Sequence, residues 1–244
     1  MHTAVIAQPD DLAAFRTYAR RLLAAKANPA TVIWTDISHG NLFDEAVGEA
    51  ERVAPVPRSF VSLAEAVACH RNRDRWSLLY QAFWRLAHGE RLLLRNEADP
   101  LVHRLNRMAT AVRHDQHRMT AFVRFRAVTD GDEVYYAAWY EPQHYVLRRT
   151  ACFFIDRFAA MRFSILTPDL SLHWDRQESH FGPGMTRTES EPPDAVEEGW
   201  KRYYAATFNP ARSNPDLMAR HMPRRFWRNL PEAASIHDLV TDAG

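Results

Sequence analysis

The sequence predicts an α+β fold: a mainly antiparallel sheet flanked by helices, with a small βαβ unit at the N-terminus. Apolar residues recur at helical spacing in several separate segments, which indicates amphipathic helices. Alternating apolar runs on both sides of Asp130-Gly131 predict a β-hairpin, because Asp-Gly is strongly preferred in two-residue hairpin turns. With 244 residues, of which 46% are hydrophobic, the chain can also fill a substantial core.

The first half of the chain begins with two short apolar runs on either side of a helical pattern, which together predict the βαβ unit. Gly40, Pro55 and Pro57 then interrupt the periodicity and indicate a loop or linker. Helical patterns resume after it, and the longest begins at Asp99-Pro100. The elements predicted here are strands 3–7 and 31–37, linker 38–58, and helices 10–26, 60–71, 74–88 and 100–120.

The helix over 100–120 is predicted to have two contrasting faces, since each residue advances about 100° around the axis. The apolar side contains Leu101, Leu105, Met108, Val112 and Met119. The opposite side contains His103, Arg107, Thr110, His114, His117 and Arg118. One face should therefore belong to the core and the other should be cationic.

The second half starts with the hairpin, whose strands should also have two faces if Asp130-Gly131 form the turn. The apolar face would contain Val123, Phe125, Ala127, Val134, Tyr136 and Ala138. The other face would contain Phe122, Arg124, Arg126, Tyr135 and Trp139. The elements predicted for this half are strands 121–128, 133–141, 162–167 and 172–181, loop 182–194, and helices 144–161, 195–208 and 215–221.

We predict three segments along the chain. Residues 1–58 form the βαβ segment and linker, residues 59–235 form the main domain, and residues 236–244 form a tail.

The composition disfavours several classes of protein. No glycine-rich phosphate loop of the dinucleotide or ATP type occurs, so we expect no such cofactor. Cys69 and Cys152 lie far apart in apolar helical patterns, and we expect buried thiols rather than a disulfide or a metal site. No apolar run of about 20 residues or signal-peptide pattern occurs, which indicates a cytoplasmic protein without membrane contact.

The net charge of +1 conceals strongly segregated blocks. Residues 101–128 contain six Arg and one acid, and residues 201–230 contain seven basic residues and one acid. Residues 164–200 contain two Arg and eight acids. A basic helix beside a strand face with Arg and aromatic residues is typical of nucleic-acid surfaces. The alternative is that the acidic block neutralises these arginines within the fold.

The densest group of titratable residues is Arg113-His114-Asp115-Gln116-His117. His114 and His117 have a spacing that suits one metal ion, but no third ligand is evident, so we predict no metal site. Asp115, His117 and Glu141 are the candidates for acid–base chemistry, although Asp115 and His117 should point in different directions on a helix. For Glu141, a turn role before the following helix is the alternative.

Several longer motifs resemble one bacterial family of unknown biochemical role. They are residues 113–126 (RHDQHRMTAFVRFR), 139–144 (WYEPQH), 153–158 (FFIDRF), 163–168 (FSILTP), 173–175 (HWD), 181–184 (FGPG), 203–204 (YY), 208–212 (FNPAR) and 222–232 (MPRRFWRNLPE). The resemblance extends from about residue 30 to about residue 235. The family is associated with DNA repair or DNA metabolism, and its members are encoded beside a radical SAM protein of DNA function.

A subgroup of this family is fused upstream of a UdgX-type uracil-DNA glycosylase domain, and the chain resembles the N-terminal part of that subgroup. It contains neither the His-Pro-Ser triplet nor the glycine-rich uracil-pocket loop of the glycosylase. It also contains no three-cysteine cluster motif of a radical SAM protein. The resemblance therefore implies a DNA setting without a demonstrated reaction.

We expect a DNA-repair accessory module that binds DNA or positions a uracil-DNA glycosylase or a radical SAM partner. The alternatives are a nucleic-acid-processing enzyme that uses Asp115, His117 and Glu141, and a protein-interaction domain. The residues expected to contact phosphates are Arg107, Arg113, His117, Arg118, Arg124 and Arg126, followed by Arg212, Arg224 and Arg225.

Overall fold

The computed structural model describes residues 2–35, 55–130 and 133–186. The chain divides into two compact units. The first consists of Met1–Asp115 with Gln143–Tyr145, and the second consists of Gln116–Pro142 and Val146–Gly244. The predicted α+β class is confirmed. The predicted segment boundaries remain a prediction. The described residues do not include the predicted helices 195–208 and 215–221 or the candidate phosphate contacts Arg212, Arg224 and Arg225.

The first unit opens with the predicted βαβ arrangement. Strands β1 (His2–Val5) and β2 (Val32–Thr35) pair in parallel, and α1 (Leu12–Ala24) connects them. The helix begins where the Asp11 carboxylate accepts a hydrogen bond from the Ala14 N–H at 2.8 Å, which satisfies one of the N–H groups left unbonded at a helix start. The parallel pair and its crossover helix therefore confirm the prediction for this segment.

Helices α2 (Arg58–Ala68) and α3 (Arg75–Ala87) pack with α1 into one apolar core. The rings of Phe15 and Trp76 stack with centroids 5.1 Å apart, and Leu79 is fully buried. Tyr80 is also fully buried, and its hydroxyl donates to the Ala27 carbonyl at 2.8 Å. That bond satisfies the only polar group of the side chain, so the ring can be buried without an unpaired donor.

Helix α4 (Pro100–Phe122) has the two faces that its periodicity predicts. Asp99 precedes it and accepts hydrogen bonds from the N–H groups of Leu101 and Val102. The helix extends two residues beyond the predicted end, so Ala121 and Phe122 are helical rather than part of a strand. Of the predicted apolar side, Leu105, Met108, Val112 and Met119 are buried and Leu101 is half-buried.

The second unit contains five strands: β3 (Arg126–Asp130), β4 (Glu133–Trp139), β5 (Phe163–Leu166), β6 (Leu170–Trp174) and β7 (Ser179–Pro183). They form one sheet in the order β3-β4-β5-β6-β7. The sheet is mixed, because β4 and β5 run parallel while the other neighbours are antiparallel. Helix α5 (Leu147–Arg157) connects the parallel pair and packs against β6.

The predicted strand 172–181 is in fact two strands, β6 and β7, joined by a turn. The Asp175 carboxylate accepts hydrogen bonds from the N–H groups of Gln177 and Glu178 at 2.8 and 2.7 Å, and Arg176 adopts a positive φ of 85°. Aspartate side chains stabilise turns by this kind of local hydrogen bond. The turn contains neither Gly nor Pro, so Asp175 is the main turn signal that the sequence offers at this point.

The hairpin of β3 and β4 differs from the prediction in register and in where its first strand begins. Ala127 pairs with Tyr136 and the ladder continues to the pair Asp130 and Glu133, so the turn does not fall at Asp130-Gly131. The shift is two residues, so Ala127 and Tyr136 still share one face, as predicted, while Val134 of that face is exposed. Because β3 begins only at Arg126, the residues at 122–125 predicted on the two faces lie outside the strand.

The prediction that both cysteines are buried is wrong for one of them. Cys69 is buried, but Cys152 is exposed on α5, because the buried side of this helix contains Ala151 and Phe154 instead. Neither cysteine forms a disulfide, and the Cys69 thiol donates to the Glu65 carbonyl at 3.6 Å. Within the described parts of the chain, no helix has the length and hydropathy that crossing a bilayer requires.

Candidate functional site

The exposed face of α4 is strongly basic. Its residues His103, Arg104, Arg107, Arg113, His114 and His117 are all exposed, and we call them the basic face of α4. Asp115, which is the only acid in the helix, is fully buried. Arg104 forms an ion pair with the exposed Asp74 at 2.5 Å, whereas Arg107 and Arg113 extend the positive charge along the helix. The helix therefore presents cations to solvent without an acid of its own beside them.

The remaining predicted phosphate contacts have different surroundings. Arg118 and Arg126 are half-buried, so they are less accessible than Arg107 and Arg113. The guanidinium of Arg124 donates to the carbonyls of Ala121 and Val123 at 2.7 and 3.3 Å. Because these carbonyls lie at the end of α4, where no helical N–H remains to bond them, Arg124 caps the helix.

The three acid–base candidates occupy separate environments. Asp115 is buried and its carboxylate accepts the His144 backbone N–H at 2.8 Å, whereas His117 is exposed two residues further along α4. Glu141 is half-buried and accepts a hydrogen bond from the indole N–H of Trp139 at 3.0 Å. The Asp115 carboxylate is thus hydrogen-bonded to the backbone of the chain. Among the described residues, no group of three or more His, Cys, Asp and Glu could hold a metal ion.

A second polar site lies on one face of the five-stranded sheet. Ala137, Ser164, His173 and His180 are successive partners across β4, β5, β6 and β7, so their side chains form one row. Two positions along each strand, on the same face, lie Tyr135, Arg162 and Asp175. A cavity of about 430 Å³, which we call the sheet cavity, is lined by Tyr135, Arg162, Phe163, Ser164, His173, Trp174, Asp175 and His180.

His173 is held at both ring nitrogens by serine hydroxyls. Ser164 Oγ lies 2.8 Å from Nδ1, and the buried Ser171 Oγ lies 2.9 Å from Nε2. Partial burial lowers the pKa of His173 below its usual 6.5, and nearby His180 lowers it further. The neutral ring has one donor and one acceptor nitrogen, which matches a hydroxyl on each side.

The small residues beside this row explain the position of the cavity. Ala137 and Ser164 have small side chains that leave space within the row, and Gly182 lies opposite Ser171 in the neighbouring row of the same face. A Cβ at Gly182 would lie 2.6 Å from Ser171 Oγ and 3.4 Å from His173 Nε2, so the glycine makes room for the bond between Ser171 and His173. The sequence does not predict this site, because the two histidines meet only through the β6–β7 turn.

A third group of polar residues lies in the first unit, where it fixes the segment Gln143–Tyr145. His144 Nδ1 accepts the Arg71 N–H at 3.3 Å, and the His144 ring lies 4.2 Å from that of His70. The guanidinium of Arg71 lies 4.6 Å from the centre of the Tyr145 ring. These contacts are internal to the fold, so we assign the group a structural role.

Taken together, the fold and these sites define an α+β protein with an exposed basic helix and a polar cavity on its sheet. The chain belongs to the family of a domain of unknown function, DUF4130, whose family model matches residues 73–232. The matched range includes α4, α5 and all five strands of the sheet. No curated protein and no solved structure gives a significant match. The family therefore names no reaction, and the sites themselves must support any proposal.

Proposed function

We propose that this chain is a DNA-repair accessory module that binds DNA through the basic face of α4. The observation that carries the proposal is the segregation of charge on this helix: Arg107 and Arg113 are exposed while Asp115 is fully buried. Phosphate contacts by arginine supply most of the sequence-independent affinity for DNA. Such contacts are favoured on α4, because the helix has no exposed acid of its own that competes for Arg107 or Arg113, and among the described residues Asp74 pairs with Arg104 instead.

The length of the helix also suits a nucleic-acid backbone. Between His103 and His117, the basic face covers about 21 Å at 1.5 Å per residue, which is several times the spacing of phosphates along B-DNA. Residues two turns apart, such as Arg107 and His114, are separated by about 10 Å along the helix axis and can therefore meet different phosphates. Contacts of this kind orient a protein on DNA without reading its sequence.

The repair setting and the partner are supported by the sequence motifs rather than by the geometry. Those motifs resemble a family that is encoded beside a radical SAM protein and is fused in some members to a UdgX-type uracil-DNA glycosylase. In the proposed role, the module binds DNA near a lesion and the partner performs the reaction. The module itself then needs no catalytic residue of its own.

The test is a fluorescence-anisotropy titration of single- and double-stranded DNA, with and without uracil, between about 50 and 200 mM salt. We expect binding that weakens steeply with salt. The variant Arg107→Gln/Arg113→Gln should lower the slope of log K against log salt on duplex DNA by about 1.8, which corresponds to two lost phosphate contacts. The matched control is Arg16→Gln/Arg91→Gln, which removes two exposed arginines from outside α4.

Two outcomes would contradict the proposal. In the first, the wild-type chain shows no DNA binding, or binding that does not respond to salt. In the second, the control variant loses as much affinity as the α4 variant, which would mean that only net charge matters. Co-purification with the glycosylase or radical SAM protein in the presence of nuclease would then favour a protein-interaction domain.

A further inference from the structure

The sheet cavity has no part in the proposed DNA contact, and its chemistry points to a different ligand. We propose that it binds a small phosphorylated molecule of the nucleoside monophosphate class. Its volume of about 430 Å³ lies within the roughly 300–1,000 Å³ that small-molecule sites occupy. This binding site goes beyond the proposed function and does not depend on it.

The hydrogen-bond donors of the cavity suit the phosphate. Arg162 is permanently charged, and His180, the direct partner of His173 across β6 and β7, adds a donor on the same face, as does the Ser164 hydroxyl. His173 itself is held at both ring nitrogens by serine hydroxyls. Among the described residues of the lining, Asp175 is the only acid, and one of its oxygens, Oδ1, already accepts two backbone N–H groups. A phosphate would therefore meet several donors, and hydrogen bonds to an anion are the stronger kind.

An aromatic group of the cavity, Tyr135, suits a base, since it lies on the same face of the sheet as Ser164 and His173. Trp174 also lines the cavity, but it alternates with His173 along β6 and its indole N–H donates to the Ala159 carbonyl at 3.0 Å, so Tyr135 is the stacking surface. Aromatic side chains give stacking surfaces to nucleobases of any identity. Side chains, rather than a glycine-rich loop, would hold the phosphate, which agrees with the lack of such a loop in the sequence.

Nucleotide binding should change the pKa of His173, and this change can be measured directly. The pKa of His173 is lowered by partial burial and by His180, and a bound phosphate opposes both effects because it stabilises a nearby imidazolium. Ligand binding should therefore raise the pKa of His173. Affinity should also increase as pH falls towards about 6. The other titratable or charged groups that face the ring are His180, Arg162 and Asp175.

The experiment is a titration of the full chain with AMP, UMP, adenosine and inorganic phosphate, followed through the imidazole C–H resonances. We expect AMP or UMP to shift the resonances of His173 and His180 in a saturable manner. Either nucleotide should bind at least about 10-fold more tightly than inorganic phosphate or adenosine. Only the nucleotide has both a phosphate that can accept hydrogen bonds from the cavity and a base that can stack on its aromatic surface. The resonance of His103, which is exposed on α4, is the internal reference.

Two exposed histidines give a matched pair of variants. His180→Gln should weaken nucleotide binding by about 10-fold, because it removes the imidazole donor from the cavity. His103→Gln changes the same residue type at the same level of exposure and should leave nucleotide binding unchanged. Both positions are exposed, so neither change should prevent folding, and thermal unfolding of each variant checks this.

The nucleotide site is overturned if no nucleotide shows saturable shifts up to about 10 mM. It is also overturned if His180→Gln binds as tightly as wild type, or if adenosine alone binds as tightly as AMP. The outcome for the nucleotide site does not decide the DNA proposal, because different variants test the two. Arg107→Gln/Arg113→Gln should weaken DNA binding and leave AMP binding intact, and His180→Gln should do the reverse.

Discussion

The carboxylate of Asp115 accepts a hydrogen bond from the backbone N–H of His144 at 2.8 Å, and it does so in full burial. The two residues are 29 positions apart, so the bond joins α4 to the segment that follows β4. Next to it, the Tyr145 N–H donates to the Cys69 carbonyl at 2.9 Å. Asp115 is thus part of the framework that fixes residues 143–145, while the basic residues around it in sequence point to solvent.

We expect Asp115→Ala to destabilise the protein by about 1–3 kcal/mol, because it leaves the N–H of His144 in a buried position without its acceptor. Asp115→Asn should cost less, since the amide oxygen can accept the same hydrogen bond. Urea unfolding measures both. Asp74→Ala, which removes an exposed carboxylate paired with Arg104, should change the free energy of unfolding by less than about 1 kcal/mol. A similar loss for Asp115→Ala would contradict the framework role.

Asp99 is expected to stabilise α4 in two ways. Its Oδ1 accepts the N–H groups of Leu101 and Val102, and its Oδ2 pairs with Arg85 at 2.8 Å. Asp99→Ala removes both contacts and should cost about 1–2 kcal/mol in urea unfolding. Asp99→Ser keeps an N-cap acceptor and loses the ion pair, so it should recover most of the loss. If the Ser variant were as unstable as the Ala variant, the cap would not be the dominant contribution.

The two faces of α4 could be predicted because they depend only on local periodicity. Val112 and Met119 are buried and Arg113 and His117 are exposed, as the angular arrangement requires. The sequence also predicts the α+β class and the parallel pairing of β1 and β2, since a helix between two short strands favours this crossover.

The sheet cavity could not be predicted in the same way. No Gly or Pro interrupts the segment from Leu172 to Phe181, and the turn within it is made by the Asp175 side chain. Without that turn, His173 and His180 belong to one strand and never meet. The capping role of Arg124 was missed for a related reason, because the end of α4 at Phe122 is not marked by a helix-breaking residue.

Gly184→Ala should be strongly destabilising. A Cβ at this position would fall directly on the carbonyl oxygen of Pro168, which is backbone and cannot rotate away. The clash would also disturb the hydrogen bond from the Met185 N–H to the Thr167 carbonyl, now 3.0 Å. We expect a loss of about 1–3 kcal/mol, measured by urea unfolding. Pro183→Ala, at an exposed neighbouring position, is the control, and an equal loss there would remove the steric explanation.

The stability of the protein should fall as pH is lowered from about 7, in a manner that depends on His173. Partial burial and His180 lower the pKa of His173 below 6.5, so the unfolded chain binds the proton first as pH falls. Its contribution is fully present above pH 6.5 and disappears as pH falls through the lower pKa of the folded state. His70 contributes in the same direction, because burial and Arg75 lower its pKa as well.

The measurement is the free energy of urea unfolding at intervals between about pH 7.5 and pH 4.5, which lies above the range where Asp99 and Asp175 lose their own contributions. His173→Gln and His70→Gln should each flatten part of the decline, and the double variant should flatten it most. His103→Gln removes an exposed imidazole and should leave the pH profile as it is in wild type. A profile that is equally steep in the double variant would show that other groups cause the decline.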